Sequence, residues 1–157
     1  MTVFLWNLLL AIAWVGVSGN FSEVNFAFGF LVGYGILAVA SRQIEGGARY
    51  VRKVPKVLKF IAFFAYDLIK ANMVVAYDVM TPRHLMQPGV MAIELDASED
   101  MEITILGNLI SVTPGTLSLD VSSDRKVLYV HAMYMGDEER LRADIKALEA
   151  RVLEIMR

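Results

Sequence analysis

The first 41 residues contain a single charged side chain, Glu23. Met1 to Ser22 form one uncharged run, and Val24 to Ser41 form a second. At about 1.5 Å per residue, a run of roughly 20 apolar residues crosses a hydrocarbon core of about 30 Å. Because a polar loop cannot rest inside lipid, two such runs separated by a short turn predict a transmembrane helical hairpin over residues 1–41.

The composition supports a membrane protein. The chain is 56% hydrophobic and has a mean hydropathy of +0.49, which exceeds that of ordinary soluble domains. The N-terminus lacks the basic segment and the small-residue cleavage site of a signal peptide, so we expect it to be retained. There is no cysteine, which excludes disulfides, thiolate metal sites and cysteine nucleophiles.

A basic loop over residues 42–55 follows the hairpin. From Arg42 to Lys59 there are six basic residues and one acidic residue, Glu45. The positive-inside rule therefore predicts that both ends of the hairpin face the cytoplasm. The same bases can contact anionic headgroups at the membrane surface or act only in setting the topology.

Gly29 and Gly33 lie four residues apart in the second run. This GxxxG spacing allows another helix to approach closely, which makes the two glycines candidates for a subunit contact or a structural contact. The alternative is that glycine is simply frequent in membrane helices. Neither run contains Asp, Lys, Arg or His at its centre, so neither has the ionisable groups of an ion pathway.

A third helix is predicted over residues 56–81, opened by Pro55 and ended by Thr81-Pro82. It is amphipathic, and its charged residues recur in one narrow sector. If it spanned the bilayer, Asp67 and Lys70 would lie near the middle at a cost of about 2.5–3.5 kcal/mol each. We therefore favour an interfacial or obliquely inserted helix, with spanning as the alternative, and expect Asp67 to pair with Lys70 rather than carry protons.

After a linker at 82–88, the pattern of residues 89–157 predicts a small α+β domain in the order βαββα. Ser98 is the expected N-cap of its first helix. Alternation in the second strand predicts that Leu117, Leu119 and Val121 face inward. The last helix begins near Asp137, and we favour its packing on the sheet over a short coiled coil.

Candidate catalytic groups are few. His84 lies in the linker, and His131 lies in a strand without a carboxylate or a second histidine at metal-ligand spacing. Pro114-Gly115 leaves a helix and enters a strand, which is the wrong polarity for a phosphate-binding loop. The acidic C-terminal part disfavours nucleic-acid binding. We therefore predict no enzymatic activity, cofactor or metal, and assign Pro114 and Gly115 a structural role in a fold-determining turn.

Four segments together resemble one known family. They are the apolar hairpin, "KANMVVAYDVMTP" (70–82), "QPGVMAIEL" (87–95) and "NLISVTPGTLSLDVSSDRKVLYVHAMY" (108–134). In this order they are similar to the E subunit of the Mrp-type multisubunit Na+/H+ antiporter. The resemblance covers nearly the whole chain, and the block from Thr113 to His131 is its most specific part.

The resemblance implies an accessory subunit of a hetero-oligomeric monovalent cation/proton antiporter in the cell membrane. In such complexes larger subunits carry the ion pathways, and the E subunit supports assembly and activity without a catalytic role. Its expected partners are the other antiporter subunits and the lipid bilayer, with the C-terminal domain in the cytoplasm. The alternative is a membrane-anchored ligand-sensing or scaffold module.

Overall fold

A computed structural model describes residues 2–44, 46–82 and 86–157. The chain divides into two compact units, Met1–Lys59 and Phe60–Arg157, and the boundary falls within the third helix. His84, one of the two histidines considered above, lies outside the described residues.

The first unit begins with an antiparallel helical hairpin. Helix α1 (Thr2–Ser18) and helix α2 (Glu23–Val39) pack on each other, and a 3-10 turn (Ala40–Arg42) follows α2. Gly19 has a φ of +66°, a left-handed conformation that glycine adopts without steric cost and that allows the tight reversal. Asn25 then joins the two helices, because its side-chain oxygen accepts from Trp14 Nε1 at 3.0 Å and its amide donates to Ser18 Oγ at 2.6 Å.

Helix α3 (Gly47–Met80) is longer than predicted, and Pro55 lies inside it rather than at its start. The missing N–H of Pro55 leaves the carbonyl of Val51, four residues earlier, without its helical partner. The Tyr34 hydroxyl of α2 donates to this carbonyl at 3.0 Å. A tertiary hydrogen bond thus satisfies the carbonyl that Pro55 leaves without a helical donor. The local sequence pattern could not indicate this long-range bond.

Two helical segments are long and apolar enough to cross a membrane, Glu23–Arg42 and Gly47–Met80, and Val3–Ser18 is a shorter apolar helix. Length and composition alone therefore admit α3 as a membrane span. Many large apolar side chains of the hairpin point outward, including Phe4, Trp6 and Leu31. Such a surface is suited to contact with lipid or with other apolar helices.

The second unit carries the α+β domain in the predicted element order. Its elements are β1 (Gly89–Glu94), α4 (Asp100–Val112), β2 (Thr116–Val121), β3 (Val127–Ala132) and α5 (Glu138–Met156). The three strands form an antiparallel sheet in the order β1-β3-β2. The predicted hairpin of β2 and β3 is therefore confirmed, and β1 pairs with the other edge of β3.

The domain core lies between one face of the sheet and helices α4 and α5. Alternate residues of β1 and β3 enter it, as do Leu106 and Ile110 of α4. Ile145 of α5 completes the cluster and Leu141 and Leu148 pack against it, so the last helix lies on the sheet as expected. At about 25 cal/mol per Å² of buried apolar surface, this shared core is the main favourable term in the folding of the domain.

Two local predictions in this domain are wrong. Leu117 and Leu119 are 49% and 51% exposed, whereas Thr116 and Ser118 face α4. The register of β2 shifts between Ser118 and Asp120, and this irregularity lets Val121 turn inward while both leucines stay outside.

The N-cap of α4 is Glu99 rather than Ser98. The reason is that Glu102, in the first turn of α4, accepts hydrogen bonds from the backbone amides of Ser98 (3.0 Å) and Glu99 (3.3 Å). A reciprocal contact of this kind fixes the helix start one residue later than the serine indicates.

Candidate functional site

The candidate glycines Gly29 and Gly33 contact helix α1 of the same chain. A Cβ added to Gly29 would lie 2.9 Å from the Trp14 ring, and one added to Gly33 would lie 3.1 Å from Leu10 Cβ and closer still to Asn7 Oδ1. Gly35, by contrast, has open space around it. The GxxxG spacing therefore serves a structural helix–helix contact inside the hairpin, where two backbones approach closely.

A buried polar network joins the three helices of the first unit. Asn7 has no exposed surface, and its side-chain amide donates to the Tyr50 hydroxyl at 2.7 Å. Tyr50 and Tyr34 meet edge to face with ring centroids 6.0 Å apart, and the Tyr34 hydroxyl donates to Val51 O. The network thus runs from α1 to the start of α3, although Asn7 Oδ1 itself has no hydrogen-bond partner among the described residues.

Asp67 and Lys70 do not form the predicted pair. In the part of the chain that the structure describes, no ion pair within 4.0 Å joins them. Asp67 is half-buried and Lys70 is exposed. Both line a cavity of about 240 Å³ within the second unit. Charges that face a solvent-connected cavity remain partly hydrated, which removes the need for a direct pair.

The second half of α3 contacts the α+β domain directly. The guanidinium of Arg151 lies 3.6 Å from the centroid of the Phe63 ring, a cation–π geometry. Asp78 is 2% exposed, and its Oδ2 accepts from the Tyr134 hydroxyl at 3.3 Å. Burial and the neighbouring Asp78 carboxylate raise the pKa of Tyr134, so its hydroxyl stays protonated as a donor.

The cavity between these contacts has a mainly apolar wall. Its polar groups include Asp67, Lys70 and Asp144, and the turn from Thr113 to Thr116 forms one side of it. A cavity of this size with a few converging polar groups can hold a small apolar or amphiphilic molecule. The further lining residues are Phe64, Ala71, Val74, Ile110, Ala132, Tyr134, Leu141, Ile145 and Leu148.

The turn at Pro114 and Gly115 connects α4 to β2, as the sequence predicts. Gly115 has a φ of +88°, which a β-branched residue adopts only with strain. The Thr116 hydroxyl donates to Ile110 O at 2.7 Å, with Thr113 O at 3.1 Å as a second, weaker acceptor of the same proton, so a carbonyl in the last turn of α4 is satisfied from the strand side. The turn is therefore a structural connection with its polar groups engaged.

Two buried carboxylates hold the loop between β1 and α4. Glu149 of α5 is 1% exposed and accepts from the amides of Asp96 (2.7 Å) and Ala97 (2.9 Å) and from Lys146 Nζ (2.6 Å). Burial lowers the pKa of Lys146, but its hydrogen bonds to Asp96 and Glu149 outweigh this and the pKa is raised. The ammonium group therefore stays charged beside its carboxylate.

Glu102 is the second of these carboxylates. It is 2% exposed, and its carboxylate accepts from Arg157 Nε at 2.9 Å in addition to the amides at the start of α4. The hydrogen bond from Arg157 and those from the backbone lower the pKa of Glu102 to about 2. These two carboxylates are held by structural donors, which is unlike the poised state of a general acid or base.

His131 lies on the uncovered face of the sheet, half-buried, and pairs across the strands with Val90 and Leu117. Among the described residues, no three or more His, Asp or Glu side chains come close enough to hold a metal ion.

These features define a class of protein: a small membrane protein with a helical part and an α+β domain whose sheet has three strands. The family model described as "Na+/H+ ion antiporter subunit" matches residues 7–155. The chain belongs to the family of Na+/H+ antiporter E subunits. The resemblance seen in the sequence is therefore confirmed.

Curated relatives match over almost their whole length. The Na(+)/H(+) antiporter E subunit of Alkalihalophilus pseudofirmus is 37% identical over 150 residues, 95% of this chain and 94% of the relative. The Na(+)/H(+) antiporter E subunit of Bacillus subtilis is 34% identical over 152 residues, 96% of each.

Two solved assemblies contain chains of similar fold. A chain in the Mrp complex from Dietzia sp. DQ12-45-1b has a TM-score of 0.50 and 28% identity, covering 64% of this chain and 96% of that one. A chain in the archaeal membrane-bound sulfane sulfur reductase has a TM-score of 0.52 and 21% identity, covering 96% and 99%. The second likeness concerns the fold alone.

Several residues that shape these sites were missed by sequence reasoning. The signal at Asn7, Tyr34 and Tyr50 is a polar side chain within or next to an apolar run. Polar groups in lipid must find hydrogen-bond partners within the protein. Glu102 and Glu149 carry a weaker signal, because acidic residues on amphipathic helices are usually solvated.

Proposed function

We propose that this chain is a non-catalytic accessory subunit of a hetero-oligomeric Na+/H+ antiporter in the cell membrane, and that it supports assembly and activity. The family supplies the antiporter context, and the relatives in the Mrp complex support a place among other subunits. The helical hairpin anchors the chain in the bilayer, and the α+β domain binds neighbouring subunits.

The close packing of α1 on α2 is the observation that carries the accessory role. At Gly33 even a methyl group would meet the Asn7 amide and Leu10, so the hairpin contact is filled by the chain itself. The polar group at this contact is a neutral amide, whereas ion pathways in membranes use ionisable side chains. The hairpin therefore suits anchoring, and the ions pass through other subunits.

The contacts of α3 support a cytoplasmic position for the α+β domain. Residues 47–59 include five basic residues, the last of them Lys59, so a spanning segment of about 20 residues would have to use residues 60–80. These same residues touch the domain through Phe63 and Asp78. A segment lined by a polar domain is poorly placed in a hydrocarbon core, and an interfacial position keeps Asp67 and Lys70 near water.

The accessory role is tested with Asp67→Asn in the assembled antiporter, measured as Na+-driven proton movement in everted membrane vesicles. We expect antiport to stay within about twofold of wild type, because Asp67 faces a cavity and is not the proton carrier. Asp144→Asn, which removes another carboxylate from the same cavity, is the matched control. A loss of antiport specific to Asp67→Asn, at normal abundance of the complex, would mean that this subunit conducts ions.

The cavity favours a second candidate function, the binding of a small ligand by a membrane-anchored sensing module. Its apolar wall and its three charged side chains suit an amphiphilic molecule. A thermal-shift screen of the full chain in detergent tests this candidate. A true ligand raises the Tm of the wild type but not of Ala71→Trp, whose ring fills the cavity, and a screen without such a compound removes the candidate.

A further inference from the structure

One face of the domain's sheet is left uncovered by the other described elements of the second unit. Helices α4 and α5 cover the inner face, while cross-strand neighbours on the other side remain accessible. We call the accessible side the outer sheet face, which consists of Val90, Ala92, Leu117, Leu119, Tyr129 and His131. Val90 is 56% exposed and Tyr129 is 40% exposed, so a continuous apolar patch faces outward.

Specific hydrogen bonds on the inner side fix this orientation of β2. Thr116 Oγ1 donates to Ile110 O, and Ser118 Oγ donates to Gly107 O at 3.0 Å. The Ser118 amide donates to Ser111 Oγ at 3.1 Å. Turning the strand over would bury the leucines but leave these polar groups without hydrogen-bond partners, which is unfavourable for buried donors and acceptors. The outward leucines are therefore a built feature of the fold.

Acidic side chains border the outer sheet face, and the two bases that reach its β1 edge, Arg142 and Lys146, are each paired with carboxylates of the same domain. Asp120 lies directly opposite Tyr129, and Glu94 is exposed at the end of β1 on the same side of the sheet. The surrounding segment, residues 87–157, contains thirteen acids and seven bases. An apolar patch with an acidic border is complementary to a segment that carries both apolar and basic residues.

We propose that the outer sheet face docks a basic, partly apolar cytoplasmic segment of a neighbouring antiporter subunit. This inference rests on the proposed function, which places the domain in the cytoplasm next to other membrane subunits. The cytoplasmic loops of membrane proteins carry an excess of Lys and Arg, so such a segment has the charge that Glu94 and Asp120 attract. Its apolar side chains cover Leu117, Leu119 and Tyr129.

The size of the face disfavours a second copy of this chain as the occupant. Three strands of six residues span roughly 14 Å by 20 Å, an area of about 280 Å². A standard stable interface buries roughly 800 Å² per partner, which is far more. A contact of this size holds only where both partners are already confined, as two subunits in one membrane are. Anionic lipid is also disfavoured as the occupant, because the acidic border repels it.

The test is site-specific photocrosslinking in the intact antiporter, with benzoylphenylalanine at position 119 in place of Leu119. The matched control carries the same group at Met101, which is 61% exposed on α4. We expect the Leu119 probe to give at least tenfold more adduct than the Met101 probe. Mass spectrometry should place the adduct in a Lys- and Arg-rich cytoplasmic segment of another subunit.

Charge reversal at the border supplies the second measurement. Asp120→Lys should lower the adduct yield at position 119 several-fold, whereas Glu139→Lys, an exposed acidic residue of α5, should leave it unchanged. Equal effects of the two changes would contradict a docking contact that depends on Asp120.

The outcomes separate this inference from the proposed function. An adduct to lipid or to a second copy, equal yields from both probes, or no adduct in a complex that still contains the chain would overturn the docking surface alone. If the chain does not co-purify with larger antiporter subunits at all, both the surface and the proposed function fail.

Discussion

The hairpin and the α+β domain bury polar side chains in opposite ways. In the hairpin, Asn7 is a neutral amide whose oxygen has no partner among the described residues, held where Gly33 lets the helices meet. In the domain, Glu102 and Glu149 are buried carboxylates surrounded by donors from the backbone and from basic side chains. A contact suited to lipid relies on shape, because unpaired charge is costly there, whereas a domain in water can use charge-assisted hydrogen bonds.

The largest expected effect comes from breaking the shape of the hairpin with Gly33→Ala. The added methyl would meet Asn7 and Leu10, and overpacking at such a contact costs toward the upper end of about 1–3 kcal/mol. Quantitative immunoblotting of the purified complex should show at least a tenfold loss of this chain. Gly35→Ala is the matched control, since Gly35 has open space, and an equal loss in both variants would refute the shape argument.

A smaller effect is expected from Gly115→Val, which strains the turn of the domain. A left-handed conformation costs a branched residue roughly 1–2 kcal/mol, so the thermal midpoint of the full chain and its abundance in membranes should fall. Asn tolerates this conformation, and Gly115→Asn should stay near wild type. Normal abundance of Gly115→Val with lost antiport would instead indicate a functional role for the turn.

The smallest effect is a pH dependence from Glu102. Its pKa in the folded chain is about 2, below the usual 4.5, so its contribution to stability is complete above about pH 4.5 and is lost as the pH falls toward 2. The Tm difference between wild type and Glu102→Gln should therefore shrink between pH 7 and pH 3. A constant difference over this range would show that the carboxylate charge does not stabilise the domain.

Much of the domain could be predicted because its patterns are local. The bounds of β2 and the positions of Pro114 and Gly115 followed from alternation and turn chemistry. The face that β2 presents could not be predicted, because alternation does not say which side a helix will cover and the irregularity after Ser118 changes the phase.

The hairpin shows the same limit of local patterns. The GxxxG spacing predicted a close helix contact but not its partner, which is α1. The sequence pattern predicted that a helix starts at Pro55. The helix instead continues through Pro55, because the hydroxyl of Tyr34, 17 residues before Val51, donates to the Val51 carbonyl. Long-range hydrogen bonds of this kind leave no periodic signal in the sequence.

The sidedness of the C-terminus tests the central claim most directly, because it reports whether α3 spans the membrane. In one fusion, a flexible linker joins Arg157 to a reporter that is active only in the cytoplasm. In a second fusion, the reporter at the same position is active only outside the cell. If the second half of α3 lies at the interface with its domain, only the cytoplasmic reporter is active. Activity of the external reporter alone would place α3 across the bilayer and the acidic domain outside the cell, which contradicts both the anchor arrangement and the docking surface.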